Sequence, residues 1–373
     1  MSATPSPGRS GKQRVAVVLF NLGGPDSPDA IKPFLLNLFR DPAILRVPFV
    51  FRPLLARLIA RARVKPATAN YMLLGGKSPL LDLTEKQASA LEAALPDIEA
   101  KCFIAMRYWH PMSLEAARAV KAWGADRVVL LPLYPQFSTT TTGSSLTAWR
   151  EAAARANLVV PTMTICCYPR DDRYVRGTAA LLVRTLDSAR ASTSVPLRVL
   201  FSAHGLPEVI VAGGDPYQFQ VERTVADVLR ALGREIDYRI CYQSRATPQR
   251  WIGPSTEESI EEAARDGVGL VVQPIAFVSE HSETLVELDV EYREFAEKLG
   301  VEHYFRVPAQ NDDAGFVAAM AGLVRSALAR GPGLCSYAGQ GTCPANHGDC
   351  PHVKAGLRIV SAGSEPPPLR LAA

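Results

Sequence analysis

The order of strand-like and helical runs repeats along this chain, and that repetition limits the fold more than any other feature. Val15 to Phe20 runs into Asn-Leu-Gly-Gly-Pro, as Leu197 to Phe201 runs into Ser-Ala-His-Gly-Leu-Pro, each an apolar strand ending in a Gly/Pro turn. Cys102 to Tyr108 parallels Tyr238 to Gln243, Arg127 to Tyr134 parallels Val268 to Phe277, and Thr162 to Pro169 parallels His303 to Pro308. Strands that alternate with helical patterns imply βα units and mainly parallel sheets. The expected fold class is therefore α/β: two similar Rossmann-like domains, each with a four-stranded parallel sheet flanked by helices. The expected boundaries are a disordered N-terminus at 1–13 and a first half at 14–170 that carries an insertion at about 31–75. A second half follows at 171–330, then a cysteine-rich extension at 331–360 and a disordered tail at 361–373.

An insertion between the first two strands projects from the strand ends over the cleft between the halves. It holds Arg40, Arg46, Arg52, Arg57, Arg61, Arg63 and Lys65 against Asp41, interleaved with Phe49, Phe51, Leu54, Leu55, Leu58 and Ile59. Such a basic, apolar lip suits an anionic amphiphile or a membrane face, although an ordinary surface helix explains it equally well. The net charge of +4 is too small to argue for nucleic acid as a partner. No apolar run is long enough to span a bilayer, and the polar Met1 to Arg14 segment has no secretory core, so the expected location is cytoplasmic. A content of 47% hydrophobic residues supports a large core. Seven cysteines, four of them in strand-like runs, argue against a disulfide framework.

Two segments carry chemistry. His204 follows an apolar strand and precedes Gly205 and Pro207, which puts an imidazole in a turn at the rim of a sheet. Glu280, Glu283, Glu287, Glu291 and Glu294 recur at helical steps beside a second stripe of Leu285, Leu288, Tyr292 and Phe295, and so predict an amphipathic α-helix with an acidic edge. A solvated helix face is the plain explanation of that edge, and a structural role is the plain one for a single histidine. Unpaired like charges four residues apart cost helix stability, however, unless a cation is expected. A strand at 271–279 also feeds this helix, as strands feed ligand sites in open α/β sheets. Together the segments point to a hard or borderline divalent cation and a base. Thr139 to Ser145 exceeds what a helix cap needs, and is expected to cradle a substrate carboxylate.

These motifs, in this order, resemble the ferrochelatase family along residues 14 to 330: Asn-Leu-Gly-Gly-Pro (21–25), Gly-Gly-Lys-Ser-Pro-Leu (75–80), Met-Arg-Tyr-Trp-His-Pro (106–111) and Leu-Tyr-Pro-Gln-Phe-Ser (133–138). Thr-Gly-Ser-Ser-Leu (142–146), Ser-Ala-His-Gly-Leu-Pro (202–207), Gly-Asp-Pro-Tyr (214–217), Tyr-Gln-Ser-Arg (242–245), Trp-Ile-Gly-Pro (251–254) and the 280–292 helix complete the set. The resemblance implies a chelatase fold and an enzyme that inserts Fe²⁺ into protoporphyrin IX with release of two protons. Coproporphyrin as substrate, or a non-catalytic tetrapyrrole or iron–sulfur carrier, are the alternatives. It further implies His204 and Glu283 as the catalytic, iron-binding pair. Glu280, His281, Glu287 and Asp289 would line a proton or metal path. Leu22, Phe34, Leu35, Arg107, Tyr108 and Trp251 are the expected porphyrin pocket. The lip resembles the family's membrane-facing mouth, and the state of association, monomer or homodimer, is left open.

The segment beyond Arg330 places Cys335, Cys343 and Cys350 among glycines and prolines, a pattern of metal ligands rather than core fillers. It resembles the extension of ferrochelatases that carry a [2Fe–2S] cluster, which takes four thiolates. The resemblance makes Cys335, Cys343 and Cys350 ligands. Cys167 is favoured as the fourth, ahead of Cys166, and His347 would instead give a Cys₃His site.

Overall fold

The computed structural model describes residues 13–245 and 249–357, so the expected disorder of the two termini lies almost wholly outside the described residues. Among the described residues, nine strands form two all-parallel sheets. The first holds β1 (Arg14–Asn21), β2 (Glu99–Met106), β3 (Arg127–Pro132), β4 (Thr162–Ile165) and β9 (Gly333–Cys335) in the order β2-β1-β3-β4-β9. The second holds β5 (Leu197–His204), β6 (Asp237–Gln243), β7 (Gly269–Pro274) and β8 (Tyr304–Arg306) in the order β6-β5-β7-β8. The two orders are equivalent except for β9. Strands β1 and β7 are buried on both faces because helices cover both, which is why their sequences read as continuous apolar runs rather than alternating ones.

The fifth strand of the first sheet departs from the expected four. Gly333, Leu334 and Cys335 pair in register with Met163, Thr164 and Ile165, covering an edge that β4 would otherwise leave with unpaired backbone groups. Three residues in a Gly/Pro-rich stretch give no periodicity to detect. The helix Ala314–Arg330 also crosses between the halves. It is apolar on most of its surface and packs against both β3 and β4, although it ends the expected second half.

The insertion forms helices α1 (Ile31–Arg40) and α2 (Arg52–Leu73), which pack on each other. Ile31, Phe34, Leu35, Ala60, Tyr71 and Tyr108 form a small core of their own beneath them. Above it, Phe49, Val50, Phe51, Leu54 and Leu58 remain more than half exposed.

Candidate active site

His204 closes β5 beside Gln243, which closes β6, so both side chains stand at the carboxyl end of the second sheet. Gly205 follows because a Cβ there would lie 2.9 Å from the Gln243 carbonyl oxygen and 3.2 Å from the Trp251 ring. His204 Nδ1 is 2.6 Å from the Gly205 carbonyl oxygen. That contact assigns the proton to Nδ1 and leaves the Nε2 lone pair free. The same device sets His281, whose Nδ1 lies 3.1 Å from the Ser279 carbonyl oxygen.

Both Nε2 atoms turn to one carboxylate. His281 Nε2 is 3.3 Å from Glu283 Oε2, and His204 Nε2 is 3.8 Å from Glu283 Oε1. Two lone pairs facing a carboxylate attract it only when a proton or a cation lies between them. Burial opposes ionisation of Glu283, but the positive charge available to His204 and His281 outweighs it and holds the carboxyl down at about 2.

The helix that carries Glu283 is not the α-helix that the spacing predicts. Glu283–Glu291 is a π-helix, continued as an α-helix over Tyr292–Lys298. Its first turn is held from the side, since Gln243 Nε2 donates to the Glu283 carbonyl at 3.2 Å, and side chains inserted into the carbonyl ladder are a known cause of irregular helix geometry. Such wide-turned segments favour functional sites. Glu287 accepts from Gln243 Nε2 at 2.9 Å, Ser244 Oγ at 2.6 Å and Tyr292 Oη at 3.1 Å. Burial, and then repulsion by Glu283, nevertheless push its pKa up.

Of the expected path residues, His281 and Glu287 thus stand with Glu283. Glu280 and Asp289 stand elsewhere: Arg306 binds them at 2.8 Å and 2.7 Å, and Glu280 also accepts from the Ala309 amide at 2.8 Å. Both are held in an ion-pair network around a nearly buried guanidinium.

The expected pocket residues divide. Phe34, Leu35 and Tyr108 are buried beneath the lip with Leu22 against them, whereas Trp251 lies against Gly205, the residue after His204, and is bridged to Pro207. Arg107 does not present an unmatched charge. Its Nη2 is 2.8 Å from Asp41 Oδ2, which also accepts from Tyr108 Oη at 2.8 Å and from Ser144 Oγ. The lip reaches the acidic helix through α2, where Asn70 Nδ2 donates to Glu291 Oε1 at 3.0 Å and Tyr71 hydrogen-bonds Ser282. The hydroxyl-rich loop does cradle a carboxylate, but one of the protein's own. Asp215 Oδ2 accepts from the Thr139 amide and Thr139 Oγ1, both at 2.7 Å, and from Ser138 Oγ at 3.0 Å.

Five buried thiols gather around the end of β4. Cys166 Sγ and Cys167 Sγ are 3.3 Å apart, Cys343 and Cys350 hydrogen-bond each other, and Gln220 Nε2 spans the pairs at 3.2 Å from Cys343 Sγ and 3.6 Å from Cys167 Sγ. Cys335 instead joins its register partner Ile165 in the main core. His347 stacks on Phe219 with its ring centroid 4.9 Å away. Among the described residues no three His, Cys, Asp or Glu side chains have the geometry of a preformed metal site.

The sequence pattern marks no functional role for Asp41, Tyr71, Gln243 or Ser244, and gives Tyr292 only a place in the apolar stripe of the acidic helix. Gln243 and Ser244 were within reach, because Tyr-Gln-Ser-Arg stands at a strand end. Asp41 and Tyr71 act across the insertion, where no local signal marks them.

The ferrochelatase family model matches residues 14–328. A curated relative from Caulobacter vibrioides, named "Ferrochelatase", is 52% identical over 343 residues, covering 91% of this chain and 97% of that one. One of the same name from Hyphomonas neptunium is 49% identical over 358 residues, covering 93% and 98%. Among solved structures, "SirB from Bacillus subtilis with Fe3+" aligns with 85% of this chain and 96% of its own at a TM-score of 0.49 and 15% identity.

Proposed function

Because the chain belongs to the ferrochelatase family, whose enzymes insert iron into a porphyrin to form haem, we propose that His204 and Glu283 carry that insertion here. The convergence of two Nδ1-protonated imidazoles on one ionised carboxylate is the observation that supports this pair most directly.

A free porphyrin carries two N–H protons, and Fe²⁺ enters as they leave. His204 Nε2, with its lone pair free, takes a pyrrole proton as general base. The resulting imidazolium is stabilised by Glu283. The Glu283 carboxylate, whose pKa is held down once the imidazoles beside it carry positive charge, offers Fe²⁺ an oxygen ligand that exchanges readily. Glu287, with its raised pKa, is suited to receive protons from this pair. Breaking two N–H bonds and forming Fe–N bonds leaves a neutral metalloporphyrin and two protons for export.

Protoporphyrin IX is the substrate we favour. Arg107 is already matched by Asp41, and the lip offers exposed Phe49, Phe51, Leu54 and Leu58, an environment for a dicarboxylic rather than a tetracarboxylic ring. The same apolar residues, among Arg57, Arg61 and Lys65, suit peripheral contact with an anionic membrane. No helix among the described residues is long and apolar enough to cross one.

We further propose that the thiols hold a [2Fe–2S] cluster: two hydrogen-bonded pairs, joined by one amide and buried from oxidants, supply four sulfurs, which must turn toward one another to bind because they form no preformed site. We assign Cys166, Cys167, Cys343 and Cys350 as the ligands; Cys335, which packs with Ile165 in the main core yet lies within electrostatic reach of Cys166 and Cys167, is the fifth thiol of the group. Such a group supplies electron-transfer or sensing capacity, and insertion itself requires neither.

The test is anaerobic turnover of Fe²⁺ with protoporphyrin and with coproporphyrin, in wild type, His204→Ala and Glu283→Gln. Both variants are expected to bind porphyrin, read by fluorescence, and to lose turnover. Retained turnover in either removes it from the reacting pair, and faster turnover with coproporphyrin reverses the substrate assignment.

A further inference from the structure

A porphyrin seated on His204 and Glu283, whose side chains are 35% and 28% exposed, would cover both, so the two protons released per turnover need a route to solvent through the protein. We propose that they leave through Glu287, the Tyr292 hydroxyl and Glu257, a route that rests on the placement of the reacting pair at His204 and Glu283. Tyr292 Oη stands between two carboxylates, 3.1 Å from Glu287 Oε1 and 3.3 Å from Glu257 Oε1. Tyr292 is buried at 6% exposure, while Glu257 is half-exposed in the first turn of the helix Thr256–Asp266. The three groups therefore run from the interior to the surface, and they join two helices that the sequence gives no reason to connect.

A single hydroxyl proton cannot serve both acceptors at once. When Glu287 is protonated, its O–H bond breaks as one forms at Tyr292 Oη, and the original tyrosine O–H breaks as one forms at Glu257 Oε1. Tyr292 is neutral before and after, Glu287 returns to carboxylate, and Glu257 passes its proton to water. Rotation about the tyrosine C–O bond resets the relay. Burial and the two flanking carboxylates push the Tyr292 pKa far up, so the phenol keeps its proton between transfers.

The other acids near the centre are engaged elsewhere. Arg306 holds Glu280 and Asp289, and Asn70 binds Glu291 at 3.0 Å on the side of the lip. Ser244 and Gln243 hold the second oxygen of Glu287, which aims the first at Tyr292. Glu257 and Tyr292 are accordingly positioning residues for proton export, acting through Glu287 rather than on the porphyrin.

The experiment compares anaerobic turnover of the full chain with Glu257→Gln, Glu257→Asp, Tyr292→Phe and Glu283→Gln. In Glu257→Gln and Tyr292→Phe, kcat is expected to fall by about tenfold with the porphyrin KM unchanged, a modest share of what acid–base groups contribute. Glu257→Asp should recover most of it, and so should a hindered pyridine base that carries protons without ligating iron. Wild-type kcat in Glu257→Gln overturns the relay, as does a loss that neither Asp nor the added base restores. If buried Tyr292→Phe does not fold, the surface variant Glu257→Gln still decides. An inactive Glu283→Gln beside a fully active Glu257→Gln removes the relay alone, whereas an active Glu283→Gln removes the reacting pair and the relay with it.

Discussion

Arg107 Nη2 and Asp41 Oδ2 stand 2.8 Å apart, and the same carboxylate oxygen accepts from Tyr108 Oη at 2.8 Å. Asp41 lies just past the end of α1, so one carboxylate fastens the lip to the turn that follows β2. Asp41→Ala leaves a guanidinium and the two buried hydroxyls of Tyr108 and Ser144 without that acceptor. It is expected to cost about 2–3 kcal/mol, discounted from a fully buried pair because the Arg107 side chain is 23% exposed. Urea unfolding of Asp41→Ala and of the milder Asp41→Asn measures this, and equal stability to wild type refutes it.

Glu287 binds its proton more tightly folded than unfolded, so its ionised form weakens the fold. The stability it contributes is complete below the ordinary carboxyl value of 4.5 and is lost as pH rises through the raised folded value. Glu287→Gln escapes that loss. It should be more stable than wild type at about pH 7 and equal to it at about pH 4, while turning over more slowly. Denaturant unfolding at both pH values gives the answer, and a variant weaker than wild type at neutral pH contradicts it.

Leu54 and Leu58 are 61% and 57% exposed on one side of α2. If they enter a bilayer interface, each truncation to Ser should weaken vesicle binding by about fivefold or more, with little change in thermal stability. Co-sedimentation with anionic vesicles reads the effect. Raised salt should weaken wild-type binding too, since Arg57 and Arg61 flank the same face. Binding that survives both substitutions points to another surface.

The thiols make a prediction with an internal control. Cys343→Ser and Cys350→Ser should abolish visible charge-transfer absorption and sulfide content in protein purified without oxygen. Cys335→Ser, whose side chain faces the core with Ile165, should keep both. Colourless wild-type protein would reject the cluster, and a colourless Cys335→Ser would restore Cys335 as a ligand.

The parts of this fold that can be read from sequence are those whose cause is local. The strands β1, β5 and β7 declare themselves as apolar runs because both faces are covered, and His204 could be placed at a strand end from Gly205 and Pro207 alone. The acidic stripe was legible as a helix but not as a π-helix, because Gln243 shapes its first turn from forty residues away. Spacing puts Glu280 on the same edge as Glu283 and the family resemblance adds Asp289 to the path, but the distant Arg306 holds both. Likewise Thr139 to Ser145 announced an anion, but nothing nearby said that it would be Asp215. In each case the deciding partner is supplied by tertiary contact.

The pairing of β9 with β4 also bears on how this polypeptide is made. During synthesis β1 to β4 emerge early, but β9, their last neighbour, emerges only after the entire second sheet has followed. Until then the β4 edge is open to any extended strand, from this chain or from another on the same message. The cysteine-bearing segment thus serves as a late closure, and a ribosome that stops short of Gly333 releases a protein with both halves present and an adhesive border.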